Sequence, residues 1–280
     1  MINLMLCGND KVFDGMLITL LSISKHTDEA LNVYLMTMDL REEDPRFKKI
    51  EEKHRKTIED VLKKKNKESK VTIIDQTELY KSEFPKNSNK KTHYTPYIFL
   101  RLLSDKVKEL PEKILYLDCD LVAYQDIKEL YDIDMSDAEV AMAKDYIGKL
   151  WINTDYRNSG VVLMNLKNIR KSKCFDKARK LCMTRRMMLP DQTALNIACK
   201  KNILLDERYN EQNKRKDETV IQHFSMKLIY FPFPHPLNVK PWQIDDVHDK
   251  LKMHDFDDIY EEFKVIKANF IKKYEKKSEK

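Results

Sequence analysis

Short apolar runs alternate along the chain with longer stretches in which apolar side chains recur every three or four residues. Residues 2–7 and 31–36 are runs of the first kind and predict buried strands, whereas residues 13–26 have the spacing of a helix. A strand, a helix and a strand of these lengths are typical of the first half of a Rossmann-like sheet. We therefore predict an α/β fold in which a mixed, mostly parallel sheet is flanked by helices.

The same alternation continues to the end of the chain. It predicts further helices at residues 45–70, 126–131, 169–188 and 257–274, others opening at 95 and 190, and strands at 71–75, 114–117, 139–144, 161–166, 203–205 and 220–224. No internal repeat interrupts this pattern. We predict a single domain over residues 1–250, followed by a basic amphipathic helix or tail over residues 251–280.

The predicted C-terminal helix is apolar on one side and rich in lysine elsewhere. Ile259, Phe263, Ile266 and Phe270 recur at helical spacing. One interpretation is that these side chains dock on the domain. The other is a peripheral contact with an anionic membrane surface.

The run Lys113-Ile-Leu-Tyr-Leu ends in Asp118-Cys119-Asp120. A near-continuous apolar run is typical of a strand buried on both faces, and in an open α/β sheet ligands bind where such strands end. Residues two apart on a strand point the same way, so both carboxylates are predicted to reach one divalent cation. The alternative is that each Asp caps a nearby backbone N–H in a turn.

Composition narrows the class of protein. The 280 residues are 42% hydrophobic and 35% charged, which predicts a folded globular protein with a mild net charge of +6. No zinc-finger or RRM signature accompanies the basic residues, so we expect no nucleic-acid partner. Five scattered cysteines, no signal-peptide pattern and no apolar run of roughly 18 residues predict a cytoplasmic protein with reduced thiols.

Polar residues near predicted strand ends and helix starts are candidate ligand contacts. Asn9 and Asp10 follow the first strand without a glycine-rich dinucleotide fingerprint, and they either contact a base or ribose or form a plain polar turn. Arg101 shares a helix face with Tyr97 and Leu100, which predicts either a salt bridge or an anion contact.

Three later positions have both a structural and a functional interpretation. Asn158 and Gly160 would let the backbone approach a ligand closely. Asp191, early in a helix, is either a cap or a ligand contact. His223, at the end of a strand, is either a buried structural histidine or a metal ligand.

Taken in order, several motifs resemble the bacterial glycosyltransferases of family 8, whose fold is of the GT-A type and whose members include glycogenin and the lipopolysaccharide galactosyl- and glucosyltransferases. The matching stretches are Cys7-Gly-Asn-Asp10, Tyr97-Ile-Phe-Leu-Arg101, Ile114-Leu-Tyr-Leu-Asp118-Cys119-Asp120, Asn158-Ser-Gly160, Leu189-Pro-Asp191-Gln192, His223-Phe224 and Lys240-Pro-Trp242. They span residues 2–242.

This resemblance implies a retaining transfer of glucose or galactose from a UDP-sugar to an acceptor hydroxyl, in the synthesis of a cell-surface glycan. It implies Mn²⁺ or Mg²⁺ held by Asp118, Asp120 and His223, with the cation acting as a Lewis acid on the departing diphosphate. Lys240 would lie beside the same phosphates. The partners implied are a UDP-hexose donor and a glycan or glycolipid acceptor.

The resemblance also assigns the remaining donor contacts. Arg101, Asp145, Asn158, Asp191 and Gln192 would hold the sugar, Asn9 and Asp10 would lie near uridine, and Cys119 lies within the donor-binding motif. Gln192 would face the anomeric carbon, where it is a poor nucleophile, so a same-face, internal-return mechanism is favoured. Asp191 as the nucleophile of a double displacement is the alternative.

The chain departs from the family pattern at two places. The aromatic residue expected to stack on uracil is matched by Val12, with Phe13 as a substitute. The segment from His223 to Lys240 is longer than usual, which makes His235 an alternative third metal ligand.

Two other functions are compatible with parts of the sequence. A haloacid-dehalogenase-like phosphatase also has Asp-x-Asp after an apolar strand, and a catalytically inactive nucleotide-sugar-binding protein would retain the same motifs. The acceptor is predicted to meet the polar loops at residues 81–93, 148–157 and 212–219.

Overall fold

The computed structural model describes residues 1–86, 88–89, 95–229, 231, 233 and 235–275. Its strands are β1 (Ile2–Cys7), β2 (Leu31–Thr37), β3 (Lys70–Asp75), β4 (Lys113–Leu117), β5 (Leu121–Ala123), β6 (Val140–Met142), β7 (Val161–Asn165), β8 (Asn202–Leu204), β9 (Ile221–His223), β10 (Lys227–Ile229) and β11 (His235–Leu237). Its α-helices are α1 (Phe13–His26), α2 (Glu52–Lys65), α3 (Thr77–Glu83), α4 (Lys128–Asp132), α5 (Gly148–Trp151), α6 (Leu166–Ser172), α7 (Cys174–Thr184), α8 (Pro190–Ala198), α9 (Ile244–Leu251) and α10 (Asp257–Phe270). 3₁₀-helices cover Asp10–Val12, Pro96–Lys106 and Glu207–Tyr209, and a π-helical turn covers Ile271–Glu275.

Seven strands form the main sheet in the order β3-β2-β1-β4-β7-β6-β8. β1 pairs in parallel with β2 and β4, and β2 pairs in parallel with β3. β7 runs antiparallel to both β4 and β6, and β8 is parallel to β6. The predicted mixed, mostly parallel sheet is confirmed, and β7 is its reversed strand.

Helices cover both faces of this sheet. Successive side chains of a strand point to opposite faces, so Leu4 and Leu6 join the core beneath α1, α2 and α10, while Met5 and Cys7 join the core beneath the 96–106 helix and α6–α8. Parallel strands buried on both faces read as continuous apolar runs, which is why β1 was recognisable from sequence.

The helix predicted over residues 45–70 begins later than expected, at Glu52. The preceding segment uses its carbonyls elsewhere: Phe47 O accepts from Leu40 N (3.0 Å), and Lys48 O accepts from Asp10 N (3.2 Å). Glu51 and His54 then form a reciprocal capping box that starts the helix. The charged pattern was therefore correct for the helix but too long at both ends, since α2 ends at Lys65 and Lys70 already belongs to β3.

The helix predicted over residues 169–188 is two helices, α6 and α7. Lys173 lies between them with φ of 57°, in the left-handed region, and this conformation ends one helix before the next begins.

The C-terminal helix α10 docks its apolar side on the domain. Ile259, Phe263 and Phe270 are buried in the same core as α1, and Lys267 Nζ lies 2.6 Å from Asp14 Oδ1 of that helix. The docked arrangement is thus the one that the structure contains. Among the described residues, no helix combines the length and apolar character that crossing a membrane requires.

Candidate active site

Asp118 and Asp120 lie in the short link between β4 and β5, at the carboxyl edge of the parallel strands. They do not continue one strand, as their spacing suggested, because β4 ends at Leu117. The link is held by its backbone: Asp118 N donates to Gly160 O (2.8 Å), and Asp120 O accepts from Phe224 N (2.9 Å). These bonds fix both carboxylates beside the start of β7 and the end of β9.

His223 faces the two carboxylates. β5 pairs antiparallel with β9, which sets Leu121 opposite His223. The Nε2 atom then lies 3.4 Å from Asp120 Oδ1 and 3.8 Å from Asp118 Oδ2. One potential ligand atom from each of the three residues lies within 4.8 Å of the others.

The other ring nitrogen of His223 sets the orientation of the imidazole. Nδ1 lies 2.9 Å from Asn210 Oδ1, which can only accept. Nδ1 therefore donates to Asn210, which leaves Nε2 as the ring nitrogen that faces the two carboxylates. His235 lies instead on the exposed strand β11, with its Nδ1 2.7 Å from Phe233 O.

Gly160 makes room for the His223 ring. A Cβ atom at residue 160 would lie 2.2 Å from His223 Cε1 and 2.6 Å from its Nδ1. Since no such contact is tolerated, glycine is required for this packing rather than for an unusual backbone angle.

Lys240 neutralises Asp120. Its Nζ atom lies 2.6 Å from Asp120 Oδ2 and donates to Phe224 O at 2.9 Å. Burial opposes ionisation of the carboxyl, but the charges of Lys240 and His223 outweigh it and hold the pKa of Asp120 well below its usual value. Asp120 is therefore an anion with a cation already beside it.

Arg101 positions Asp118. The buried guanidinium stacks on Tyr116, 4.0 Å from the ring centroid, and donates from Nη2 to Asp118 Oδ1 (2.8 Å) and from Nη1 to Ser159 O (2.5 Å). The Tyr116 hydroxyl donates to the same Asp118 oxygen at 2.5 Å. Of the two interpretations of Arg101, the salt bridge is present.

A buried amide and carboxylate network extends from the Nδ1 side of His223, away from Asp118 and Asp120. Asn210 Nδ2 donates to Asn158 Oδ1 (2.9 Å), and Asn158 Nδ2 donates to Asp145 Oδ2 (2.8 Å). Gln192 Nε2 donates to the same Asp145 oxygen at 3.0 Å. Three of the predicted sugar contacts are thus brought together and linked to the histidine through Asn210.

The start of α8 supplies two neighbouring polar side chains. Gln192 Oε1 accepts from Ser159 N (3.0 Å), so both ends of its amide are held. Asp191 Oδ2 lies 3.3 Å from Arg101 Nε, and burial raises the pKa of this carboxyl although the guanidinium opposes the rise. Arg101 therefore connects Asp191 with Asp118.

A cleft of about 970 Å³ opens over the carboxyl ends of β1 and β4. Among the described residues that line it are Asn9, Lys11, Val12, Arg46, Phe47, Tyr97, Arg101, Asp118, Cys119, Asp120 and Trp242. The Cys119 thiol donates to Cys7 O (3.5 Å), and burial raises the pKa of this thiol far above its usual value. The Asp118 and Asp120 carboxylates thus lie in the wall of this cleft.

The aromatic residue that was predicted to stack on the nucleotide base does not line the cleft. Phe13 does not face the cleft: it is buried, with its ring centroid 4.7 Å from that of His54 and 4.9 Å from that of Phe270. Phe47 lines the cleft instead. Asp10 lies beside Asn9 with a raised pKa, caused first by its burial, but it is not among the lining residues.

The sequence analysis did not predict three residues that help to form the site. Tyr116 had a signal, because it lies two residues before Asp118 and is the only residue with a polar tip in its strand's apolar centre. Asn210 and Phe47 lie in loops far from the motifs along the chain, and nothing local indicated them. The loops expected to meet the acceptor are partly described: residues 87 and 90–94 lie outside the described residues, and residues 148–151 form α5.

The sequence profile of glycosyl transferase family 8 matches residues 3–246, and the chain belongs to this family. It is similar to glycosyltransferase GlyA of Streptococcus pneumoniae serotype 4, with 29% identity over 163 residues, covering 58% of this chain and 20% of GlyA. It is also similar to lipopolysaccharide 1,2-glucosyltransferase of Escherichia coli K12, with 30% identity over 125 residues, covering 39% of this chain and 37% of that protein. The chain thus spans about a fifth and about a third of these two relatives.

The fold is that of the GT-A glycosyltransferases. The crystal structure of an active-site mutant of LgtC superposes with a TM-score of 0.66 at 17% sequence identity, covering 96% of both chains. Family membership favours glycosyl transfer over the phosphatase considered from the Asp-x-Asp motif.

Proposed function

We propose that this protein is a retaining hexosyltransferase that moves glucose or galactose from a UDP-sugar to an acceptor hydroxyl, with Mn²⁺ or Mg²⁺ as cofactor. The observation that carries the proposal is the convergence of Asp118, Asp120 and His223 at the carboxyl edge of the sheet, where the two carboxylates line the cleft. In open α/β sheets this edge is where ligands bind.

The residues present fit a divalent cation. Two carboxylates and one neutral imidazole nitrogen are donors that Mn²⁺ accepts, and the Lys240 ammonium on Asp120 shows that the position favours positive charge. Asp118, Asp120 and His223 would hold the cation, which supplies Lewis-acid stabilisation of the departing diphosphate. Lys240 would then exchange its contact with Asp120 for a phosphate oxygen.

The cleft supports a nucleotide beside this position. Asn9, Phe47 and Tyr97 also line the cleft, where a uracil ring would stack on the aromatic side chains and hydrogen-bond to the amide. Asp10 remains a candidate for the ribose, and Cys119 for contact through its backbone. Arg101 would act by holding Asp118 in place.

The buried network would receive the sugar. Asp145, Asn158 and Gln192 present amide and carboxylate groups whose orientation is fixed by one another. A site built to hydrogen-bond a hydroxyl discriminates strongly against its absence, so these residues would decide between glucose and galactose. Asp191 would contribute through its ion pair with Arg101.

Retention would follow from attack on the face that the diphosphate leaves. The acceptor oxygen would form its bond to the anomeric carbon as the carbon–oxygen bond to UDP breaks, and the departing phosphate would take the acceptor's proton. Gln192, whose carbonyl already accepts from Ser159 N, is a weak nucleophile and would stabilise the positive charge on the sugar. Asp191 as a covalent nucleophile is the alternative.

The acceptor would be a glycan or glycolipid of the cell surface. We infer this class of acceptor from the similarity of the chain to a lipopolysaccharide glucosyltransferase. The exposed side chains of Leu150 and Trp151, on α5 beyond Asp145, are suited to contact it. We place the protein in the cytoplasm, with the lysines of residues 251–280 as a peripheral contact to an anionic membrane.

A thermal-shift screen tests the donor. UDP-glucose, UDP-galactose, UDP-GlcNAc and GDP-mannose are each added with and without Mn²⁺. A ligand at about 100 times its Kd adds roughly 2.7 kcal/mol to the stability of the native state. We expect a rise in Tm for a UDP-hexose that requires Mn²⁺, and no shift with any donor would contradict the proposal.

Hydrolysis assays separate the remaining functions. A transferase should release UDP slowly from its donor in the presence of Mn²⁺, a phosphatase should prefer simple phosphomonoesters, and an inactive binding protein should do neither. The anomeric configuration of the product, read by NMR, then distinguishes retention from inversion.

A further inference from the structure

A second cluster of metal-ligating side chains lies where α9 meets α10. His248, His254 and Asp257 each offer a ligand atom, and the three atoms lie within 4.8 Å of one another. The family profile ends at residue 246, so this cluster lies beyond the residues that the profile matches. It is separate from Asp118, Asp120 and His223.

The two imidazoles converge on one carboxylate. His248 Nε2 lies 2.6 Å from Asp257 Oδ1, and His254 Nδ1 lies 3.2 Å from Asp257 Oδ2. The two rings are stacked, with centroids 4.4 Å apart and planes 22° apart. Different nitrogens of the two histidines, Nε2 and Nδ1, thus point toward the same group.

The backbone holds this arrangement. Lys252 ends α9 in the left-handed conformation with φ of 54°, and Met253 N donates to Val247 O at 3.3 Å. The buried Phe256 ring anchors the start of α10 immediately before Asp257. The three ligands are therefore carried on two helix ends and a short connection rather than on a long free loop.

We propose that His248, His254 and Asp257 bind a late first-row divalent transition metal, with zinc as the representative ion. Zinc takes histidine nitrogens and carboxylate oxygens at about 2.0–2.2 Å, which places neighbouring ligands of a tetrahedron roughly 3.3 Å apart. The shortest nitrogen–oxygen distance here is 2.6 Å, between His248 Nε2 and Asp257 Oδ1. To admit a zinc ion, this distance has to lengthen by less than about 1 Å, which a small rotation of the side chains provides. Water fills the fourth position, because the His254 side chain is 61% exposed.

The donor types distinguish this cluster from the one in the cleft. Two imidazoles and one carboxylate form a softer set than two carboxylates and one imidazole, and nitrogen-rich sites follow the Irving–Williams order strongly. Zinc, nickel or cobalt should therefore bind here more tightly than manganese. The two clusters would then bind two different metals selectively on one chain.

A metal here would fix α10 to a segment of the cleft. The Tyr260 ring, one turn after Asp257, contacts the His248 ring edge-on with centroids 5.8 Å apart. Its hydroxyl donates to Pro241 O at 2.7 Å, and Pro241 lies between Lys240 and Trp242. The bound ion would thus support the position of Lys240 from outside the cleft.

Zinc binding to protein without a histidine tag tests the proposal. The background is Asp120→Asn, which disables the cleft cluster, and the comparison is between His254→Ala and the matched control His235→Ala, which removes another exposed histidine. Bound zinc is counted by elemental analysis after gel filtration, and Tm is recorded with and without zinc. We expect one equivalent and a rise in Tm in the control, and at least about tenfold weaker binding with His254→Ala.

Equal zinc content and equal Tm shifts in the two variants would overturn the proposal, as would the absence of zinc from both. If Asp120→Asn does not fold, the comparison is made in the natural background, where His254→Ala should lose one equivalent relative to His235→Ala. Asp257→Asn provides a second route, since it should reproduce the loss. None of these readouts depends on glycosyl transfer, so the inference stands or fails apart from the proposed function.

Discussion

At the scale of single residues, the position of the His223 ring depends on the absence of a side chain at Gly160. We predict that Gly160→Ala lowers the free energy of unfolding by about 1–3 kcal/mol, the usual cost of overpacking, because the new Cβ would enter the imidazole ring. It should also weaken Mn²⁺ binding. Chemical denaturation and metal titration measure the two effects.

The double variant Gly160→Ala, His223→Ala is the control. Removing the ring should recover part of the lost stability without restoring metal binding. Additive losses in the double variant would show that the clash with His223 is not the cause.

Asp120 is the second residue on which the site depends. We predict that Asp120→Asn remains folded but loses more than about 100-fold of its metal-dependent activity, since even groups that only orient metal ligands cost up to that much. Asp137→Asn, at an exposed position, should keep full activity. Donor turnover at saturating Mn²⁺ is the measurement, and full activity in Asp120→Asn would rule out the metal role.

The sequence analysis identified the site residues that belong to motifs but not the residues that hold them in place. Asp118 and Asp120 were recognisable from the apolar run before them and His223 only through the family resemblance, and the structure brings the three together. Asn210 was not recognisable, because its role depends on where a loop returns in space. Phe13 was expected at the cleft because it is near Val12, but a helix turns consecutive residues to different faces.

At the scale of elements, the start of α2 contains a buried histidine. His54 Nδ1 accepts from Glu51 N (3.0 Å), and its ring packs between Phe13 and Phe270. Burial, reinforced by Lys53, lowers the pKa of His54 from 6.5 to about 4. The unfolded chain therefore takes up a proton near pH 6.5 that the folded chain resists until far lower pH.

We predict that acidification from pH 7 to pH 5 costs this site at most about 2 kcal/mol of stability, because in that interval the unfolded state binds the extra proton. The stability is present above pH 6.5 and is lost as the pH falls toward 4. Urea denaturation at the two pH values measures it. His54→Gln should show a smaller difference between pH 7 and pH 5, and an equal difference would contradict the assignment.

Element prediction succeeded where a segment's own pattern decides its structure. The strand at residues 2–7 and the helix at 13–26 were correct because each buries a face with a clear period. The helix expected from residue 45 was too long because Phe47 and Lys48 give their carbonyls to Leu40 and Asp10. Such long-range hydrogen bonds leave no local trace in the sequence.

At the scale of the whole molecule, α10 belongs to the same core as the sheet. We predict that Phe270→Ala lowers the free energy of unfolding by about 3–5 kcal/mol, as for other buried phenylalanines. Val265→Ala, on the exposed side of the same helix, should change it by less than about 0.5 kcal/mol. A single denaturation transition shifted only by Phe270→Ala is the expected result.

A tail that is independent of the domain would behave differently. In that case both substitutions would leave the main transition unchanged, and the predicted division at residue 250 would mark a true structural boundary.

The reversal of β7 has a consequence for how such a protein diversifies. Because β7 runs against its neighbours, the chain reaches the carboxyl edge just before this strand begins, whereas β1 and β4 reach it as they end. The two halves of the edge are therefore supplied by separate stretches of chain. On the proposed function, residues 146–157 could therefore be exchanged to suit a new acceptor without altering the parallel strands that lead to Asn9, Asp118 and Asp120.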